Sequence, residues 1–178
     1  MKRRFGGRIV LSITVVLIAG LFAAKTACGQ SSAAPTPIKA SAIQIQQIQS
    51  EDVKLPVEFQ MSMYEHVVEE VTKTKRFQHV YRDGDKSAAD APDLVTLQCT
   101  VTGFKQGSAM ERQVTTVAGS TSITVHTQFL DKNGRKLFEN DVKGKVMFFG
   151  ENLRATYNFS KQVAAVVRQD FVAQNAKK

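Results

Sequence analysis

Asp131-Lys132-Asn133-Gly134 sits between two alternating segments, and no other stretch restricts the fold as much. Ile123, Val125, Thr127 and Phe129 alternate with polar residues before it, and Lys136 to Phe149 follows it as a second strand-like run. Alternation at period two marks a half-buried strand. Asn-Gly supplies two residues that accept positive φ, which a tight antiparallel connection favours. The sequence therefore predicts a β-hairpin, and a hairpin with one apolar face needs further elements to cover that face.

Those elements can be read on either side. Ile43-Gln44-Ile45-Gln46 alternates as a strand, and the slip to Ile48 marks its end. Pro56 opens a helix, where its missing N–H costs nothing. Met63, Tyr64, Val67, Val68 and Val71 recur at three and four residues and form one apolar stripe, with Glu58, Glu65, Glu69 and Glu70 on the wet side. Lys73, Lys75 and Arg76 follow where cations oppose the helix dipole. Phe77 to Tyr81 alternates briefly, Asp83-Gly84-Asp85 turns, and Leu94 to Val101 is a further strand. The hairpin's first strand lies in a Thr-, Val- and Ile-rich segment from Val114 to Leu130. Asn152 to Val172 closes as a helix, with Asn152 as N-cap and Leu153, Tyr157, Val163, Ala164, Val167 and Phe171 in its stripe. The expected class is α+β: a two-layer sandwich with a mostly antiparallel sheet of about five strands under two helices, in the order βαβββ(β)α.

The N-terminus places this domain outside the cytoplasm. Lys2, Arg3, Arg4 and Arg8 precede an apolar run of 16 residues, Ile9 to Ala24, and Thr26-Ala27-Cys28-Gly29-Gln30 follows. That is the order of an export signal, and the run is shorter than the roughly 20 residues of a typical membrane span. Two processing routes fit. Ala27 and Gly29 suit a cut before Gln30. Cys28 suits lipidation, as in bacterial lipoprotein signals, although Lys25 stands where Leu is usual. The organisation expected is a signal over 1–29, a Ser/Ala/Pro linker over 30–41, one domain over 42–173 and a tail over 174–178. The membrane is touched only through the signal or a lipid at Cys28.

Charge carries little information about partners. Residues 1–29 hold five basic side chains and no acidic ones, so the remainder has 19 basic and 16 acidic, a net of +3. Nucleic-acid binding calls for basic residues gathered on one face, and here the signs interleave, as in Arg82-Asp83-Gly84-Asp85-Lys86. Nucleic acid is not an expected partner. Cys28 and Cys99 are the only cysteines, so no disulfide framework supports the domain, and Cys99 reads as a small buried hydrophobe.

No catalytic signature emerges. Nucleophile elbow, paired-Cys motif and phosphate-cradling glycine loop are all missing from the sequence. His66 and Glu70 share a helix face without a third ligand, and the two Asp-containing turns lack the rest of a calcium loop. Neither metal nor cofactor is expected. The stretch from Gly103 to Gly119 reads as a long loop between two core strands, and such loops are often functional. Phe104, Lys105, Met110 and Arg112 are its candidate binding residues.

Val101-Thr102-Gly103-Phe104, Arg112, Gly119, the Val/Ile/Thr strand, Asp131 to Leu137 and the closing helix together resemble an uncharacterised bacterial domain family of exported proteins, many of them lipoproteins. The resemblance spans Ala42 to Phe171 and extends distantly to the periplasmic α/β domain of the curli-secretion lipoprotein. It implies an envelope protein that acts by binding or assembly. The expected function is a noncatalytic exported module that binds another envelope protein or itself. A periplasmic carrier of a small apolar ligand is the second reading, and a hydrolase whose site is built from distant carboxylates is the third. A filled core with an open sheet edge favours the first; an enlarged apolar cavity between sheet and helices favours the second.

Overall fold

The computed structural model describes residues 37–50, 52–108, 110, 119–146 and 152–173. All of them lie in the second of two compact units, Met1–Ala33 and Ala34–Lys178. The leader, Cys28, Arg112 and the tail fall outside the described residues, as does the proposed strand start at Val114.

Among the described residues the domain has five strands and two long helices: β1 (Ala42–Ile45), α1 (Val57–Lys73), β2 (His79–Arg82), β3 (Leu94–Lys105), β4 (Thr121–Leu130), β5 (Lys136–Val146) and α2 (Arg154–Asp170). A short 3-10 segment, Lys86–Asp90, lies between β2 and β3. The strands line up in the order β2-β1-β3-β4-β5.

The α+β architecture matches expectation, but the sheet is mixed rather than mostly antiparallel. β1 pairs in parallel with both β2 and β3, while β3–β4 and β4–β5 are antiparallel. The cause is the crossover: α1 carries the chain back so that β2 runs beside β1 in the same direction, as parallel neighbours require. The 3-10 segment makes the next crossover, from β2 past β1 to β3. Ala88 and Ala91 there join Ala42 and Leu94 in a small second core under Tyr81.

The main core fills the space between sheet and helices. Ile43, Ile45, Leu97, Val101, Ile123, Val125 and Phe129 meet Phe59, Met63, Val67 and Val71 of α1 and Phe159, Val163 and Val167 of α2. Each such side chain contributes roughly 1.5–3 kcal/mol by leaving water. Glu70 is a departure from the predicted wet side: it is 5% exposed, and its carboxylate accepts from Lys73 Nζ at 2.8 Å. The helices touch through small polar groups, with Ser62 Oγ 2.9 Å from Thr156 Oγ1, while within α2 Ser160 Oγ donates back to the Thr156 carbonyl. Asn152 is not the N-cap; α2 starts after Leu153 without a side-chain cap, and the Asn152 side-chain oxygen Oδ1 accepts from Thr121 Oγ1 at 2.7 Å.

The hairpin forms as predicted in outline. Only Gly134 takes positive φ, +76°, while Asp131 Oδ1 accepts from the amides of Asn133 and Arg135. The slip in register between Phe129 and Leu130 makes this a turn followed by a bulge glycine, the longer of the common hairpin solutions.

Candidate functional site

β5 is an edge strand of 11 residues and, among the described elements, none pairs on its outer side. Its side chains divide by face. Val142, Gly144 and Val146 turn toward α2 and are buried, whereas Glu139, Asp141, Lys143 and Lys145 are exposed. α2 rests directly on this strand. A Cβ added at Gly144 would come within 2.1 Å of the Ala155 carbonyl oxygen and 2.7 Å of Phe159 Cβ, so only glycine fits there.

The two acidic residues of the exposed row are already engaged. His126 of β4 stands between them, with Nδ1 2.8 Å from Asp141 Oδ1 and Nε2 3.3 Å from Glu139 Oε2. Lys136 Nζ donates to Glu139 Oε2 at 2.8 Å, and Gln128 Nε2 donates to it at 3.2 Å. These donors, Lys136 foremost, hold the Glu139 carboxyl below its ordinary value. Because the two carboxylates face different ring nitrogens, they do not converge on one point. Among the described residues no group of three His, Cys, Asp or Glu side chains is placed to share a metal ion. At the other end of the strand, Lys143 and Lys145 have no ion-pair partner among the described residues.

A surface cleft of about 490 Å³ opens beside the first half of β5, lined by Ile38, Leu137, Phe138, Glu139, Asn140, Gln169 and Asp170. A smaller one, about 180 Å³, lies between Pro92–Val95 and Asp131–Asn133. Both sit at the end of the sheet where the β4–β5 turn and the last turn of α2 meet, not between sheet and helices.

The predicted loop residues separate. β3 continues to Lys105, and a register shift between Val101 and Gly103 inserts one residue that re-aims the strand. Phe104 is thereby turned onto the core, in edge contact with Phe59 at 4.9 Å, and packs rather than projects. Lys105 ends the strand and is exposed. Met110 is 76% exposed, and Val57 and Met61 of α1 are also bare. Cys99 is buried on β3, and burial pushes its thiol up to about 12, which leaves it inert. His66 Nδ1 lies 3.0 Å from Thr156 Oγ1, a bond between the helices. Asp85 caps the 3-10 segment by accepting from Ser87 N at 2.9 Å. The exposed row on β5 was present in the sequence as Glu139, Asp141, Lys143, Lys145 at two-residue spacing. Its meaning depends on β5 being an edge, which local pattern does not reveal.

Fold and surface thus define a two-layer α+β domain with a filled core, one long uncovered sheet edge and no assembled catalytic group among the described residues. The chain belongs to the domain-of-unknown-function family DUF4410, which matches residues 30–150. Its fold is shared with a PelC dodecamer from Paraburkholderia phytofirmans. In a substituted form of that protein the match is 10% identical, covers 79% of this chain and 96% of that chain, and has a TM-score of 0.57. In a second crystal form the values are 11%, 76%, 90% and 0.56. A DUF330-family protein from Xanthomonas campestris is 11% identical over 76% of this chain and 91% of that chain, with a TM-score of 0.47. No curated protein matches the sequence.

Proposed function

We propose that this chain is a noncatalytic module of the bacterial envelope that assembles with copies of itself. The observation that carries this reading is the open edge of β5, 11 residues long, on a domain whose interior is filled. Natural sheets cover, shorten or distort such an edge unless it serves for pairing. The shared fold supports the reading, since PelC is recorded as a dodecamer. The carrier reading has less support, because the two clefts lie on the surface at one end of the sheet.

In this reading the N-terminal segment exports the chain, Cys28 is the attachment point if the leader is processed as a lipoprotein signal, and Lys105, Met110 and Arg112 face a further envelope component. The part of residues 30–41 ahead of Ile38, which bridges to Phe171, then acts as a tether, and the domain that follows assembles. Chemical crosslinking in intact cells, followed by sedimentation of the purified full-length chain, tests assembly. Discrete homo-oligomers are the expected result, and a monomer in both would overturn it. Palmitate labelling tests the anchor: the label should vanish in Cys28→Ala, and an unlabelled wild type would rule the anchor out.

A further inference from the structure

We infer that the occupant of the β5 edge is the β5 edge of a second copy, paired antiparallel about a two-fold axis through Val142. The inference rests on the self-assembly reading and names its interface.

The charge pattern fixes the register. Along the exposed row the order is acid, acid, base, base: Glu139, Asp141, Lys143, Lys145. An antiparallel copy centred on Val142 sets Glu139 opposite Lys145 and Asp141 opposite Lys143, and the two-fold repeats both pairs. Sliding by one step of two residues brings Asp141 opposite Asp141 in one direction and Lys143 opposite Lys143 in the other. Sliding by a single residue sets the exposed row against the buried row. Only one register therefore satisfies all four side chains. Cross-strand opposite charges stabilise a pair and like charges directly opposite destabilise it. A contact in which the same patch meets itself is the common form of a two-fold interface.

The inner face agrees with the same register. It sets Asn140 opposite Gly144 and Phe138 opposite Val146. α2 packs on the strand at Gly144, through Ala155 and Phe159. In this register the Gly144 end of a partner's strand lies beside the Phe138–Asn140 end of this copy, where the cleft of about 490 Å³ lies. Asn158 Nδ2 donates to the Lys145 carbonyl at 2.8 Å, a bond that the new ladder would have to replace.

Charge reversal gives a test that carries its own folding control. Glu139→Lys with Asp141→Lys makes the exposed row all basic; Lys143→Glu with Lys145→Glu makes it all acidic. In the full-length chain, each double variant should dissociate at least about tenfold more readily than the wild type, because every pair becomes a like-charge pair. Mixed together, the two should form a heterodimer, since every pair is then opposite, and high salt should weaken it. Analytical ultracentrifugation and native mass spectrometry read the outcome, with circular dichroism confirming the fold of each variant. Failure of the folded variants to associate on mixing overturns the interface, as does unchanged self-association of either variant. In that case an oligomeric wild type leaves the assembly reading standing, whereas a monomeric wild type removes both.

Discussion

The two edges of the sheet are built in opposite ways. β2 has four residues, His79–Arg82, and is secured from the helix side. Arg82 forks onto Glu65 of α1 at 2.6 and 2.7 Å, and its guanidinium lies 5.7 Å from the Tyr64 ring centroid. The Tyr64 hydroxyl accepts from Asp83 N at 2.8 Å. β5 is nearly three times as long, has α2 seated on one face, and presents four charges on the other. A short edge tied down by side chains offers little to a passing strand. A long edge with ordered charges excludes most strands and accepts a matching one. The difference teaches that edge protection and edge recognition use the same residue types, and that length and order of charge distinguish them.

The largest effect is expected at β5. Gly144→Val drives a branched side chain into the Ala155 carbonyl and the Phe159 backbone, and since neither is a flexible chain end the helix must shift. Urea unfolding should show a loss of about 3 kcal/mol. An unchanged midpoint would mean that α2 does not rest on the strand. Smaller is the effect of Tyr64→Phe beside β2. It strands the Asp83 amide and should cost about 1 kcal/mol, with amide exchange rising at Asp83 before the core strands. If exchange rose first along β5, the two edges would not be independent.

Arg82→Ala should matter least, under about 1 kcal/mol, because the ion pair with Glu65 is exposed. Its pH dependence has a definite sign. The hydrogen bond from Arg82 holds the Glu65 carboxyl below its ordinary value of 4.5. The pair therefore adds stability at neutral pH, and that contribution fades as pH falls through the folded-state value. Wild type and Arg82→Ala should converge in stability under acid. A gap that persisted there would assign the effect of Arg82 to its contact with the Tyr64 ring.

Much of this fold was legible because its signals are local. The stripe of α1 and the alternation of β4 repeat at fixed spacings, and the Asn133-Gly134 turn lies between its two strands. What escaped depends on distant partners. Parallel pairing of β1 follows from where β2 and β3 settle, and nothing in Ile43-Gln44-Ile45 encodes it. The inserted residue near Gly103 moved Phe104 from a supposed loop into the core, because one extra residue in a strand reverses the faces that follow. Glu70 looked solvated until Lys73 and the packing of α1 enclosed it. For the interaction surface, all four charges were visible in the sequence, yet edge position is a property of the whole sheet.

One small contact carries a mechanical consequence. Ile38 N donates to the Asp170 carbonyl at 2.7 Å and Val172 N donates to the Ile38 carbonyl at 3.0 Å, a parallel bridge that joins the chain just before β1 to the chain just after α2. Tension arriving along the N-terminal segment meets these two bonds side by side, before it reaches the sheet. They bear such a load together, in shear, and pass it to the last turn of α2, whose Phe171 ring stacks edgewise on Phe77 at 5.1 Å. A pull on the chain ahead of Ile38 would thereby be spread over the helix and the aromatic cluster beneath it, and β1 would not be peeled from the sheet one bond at a time.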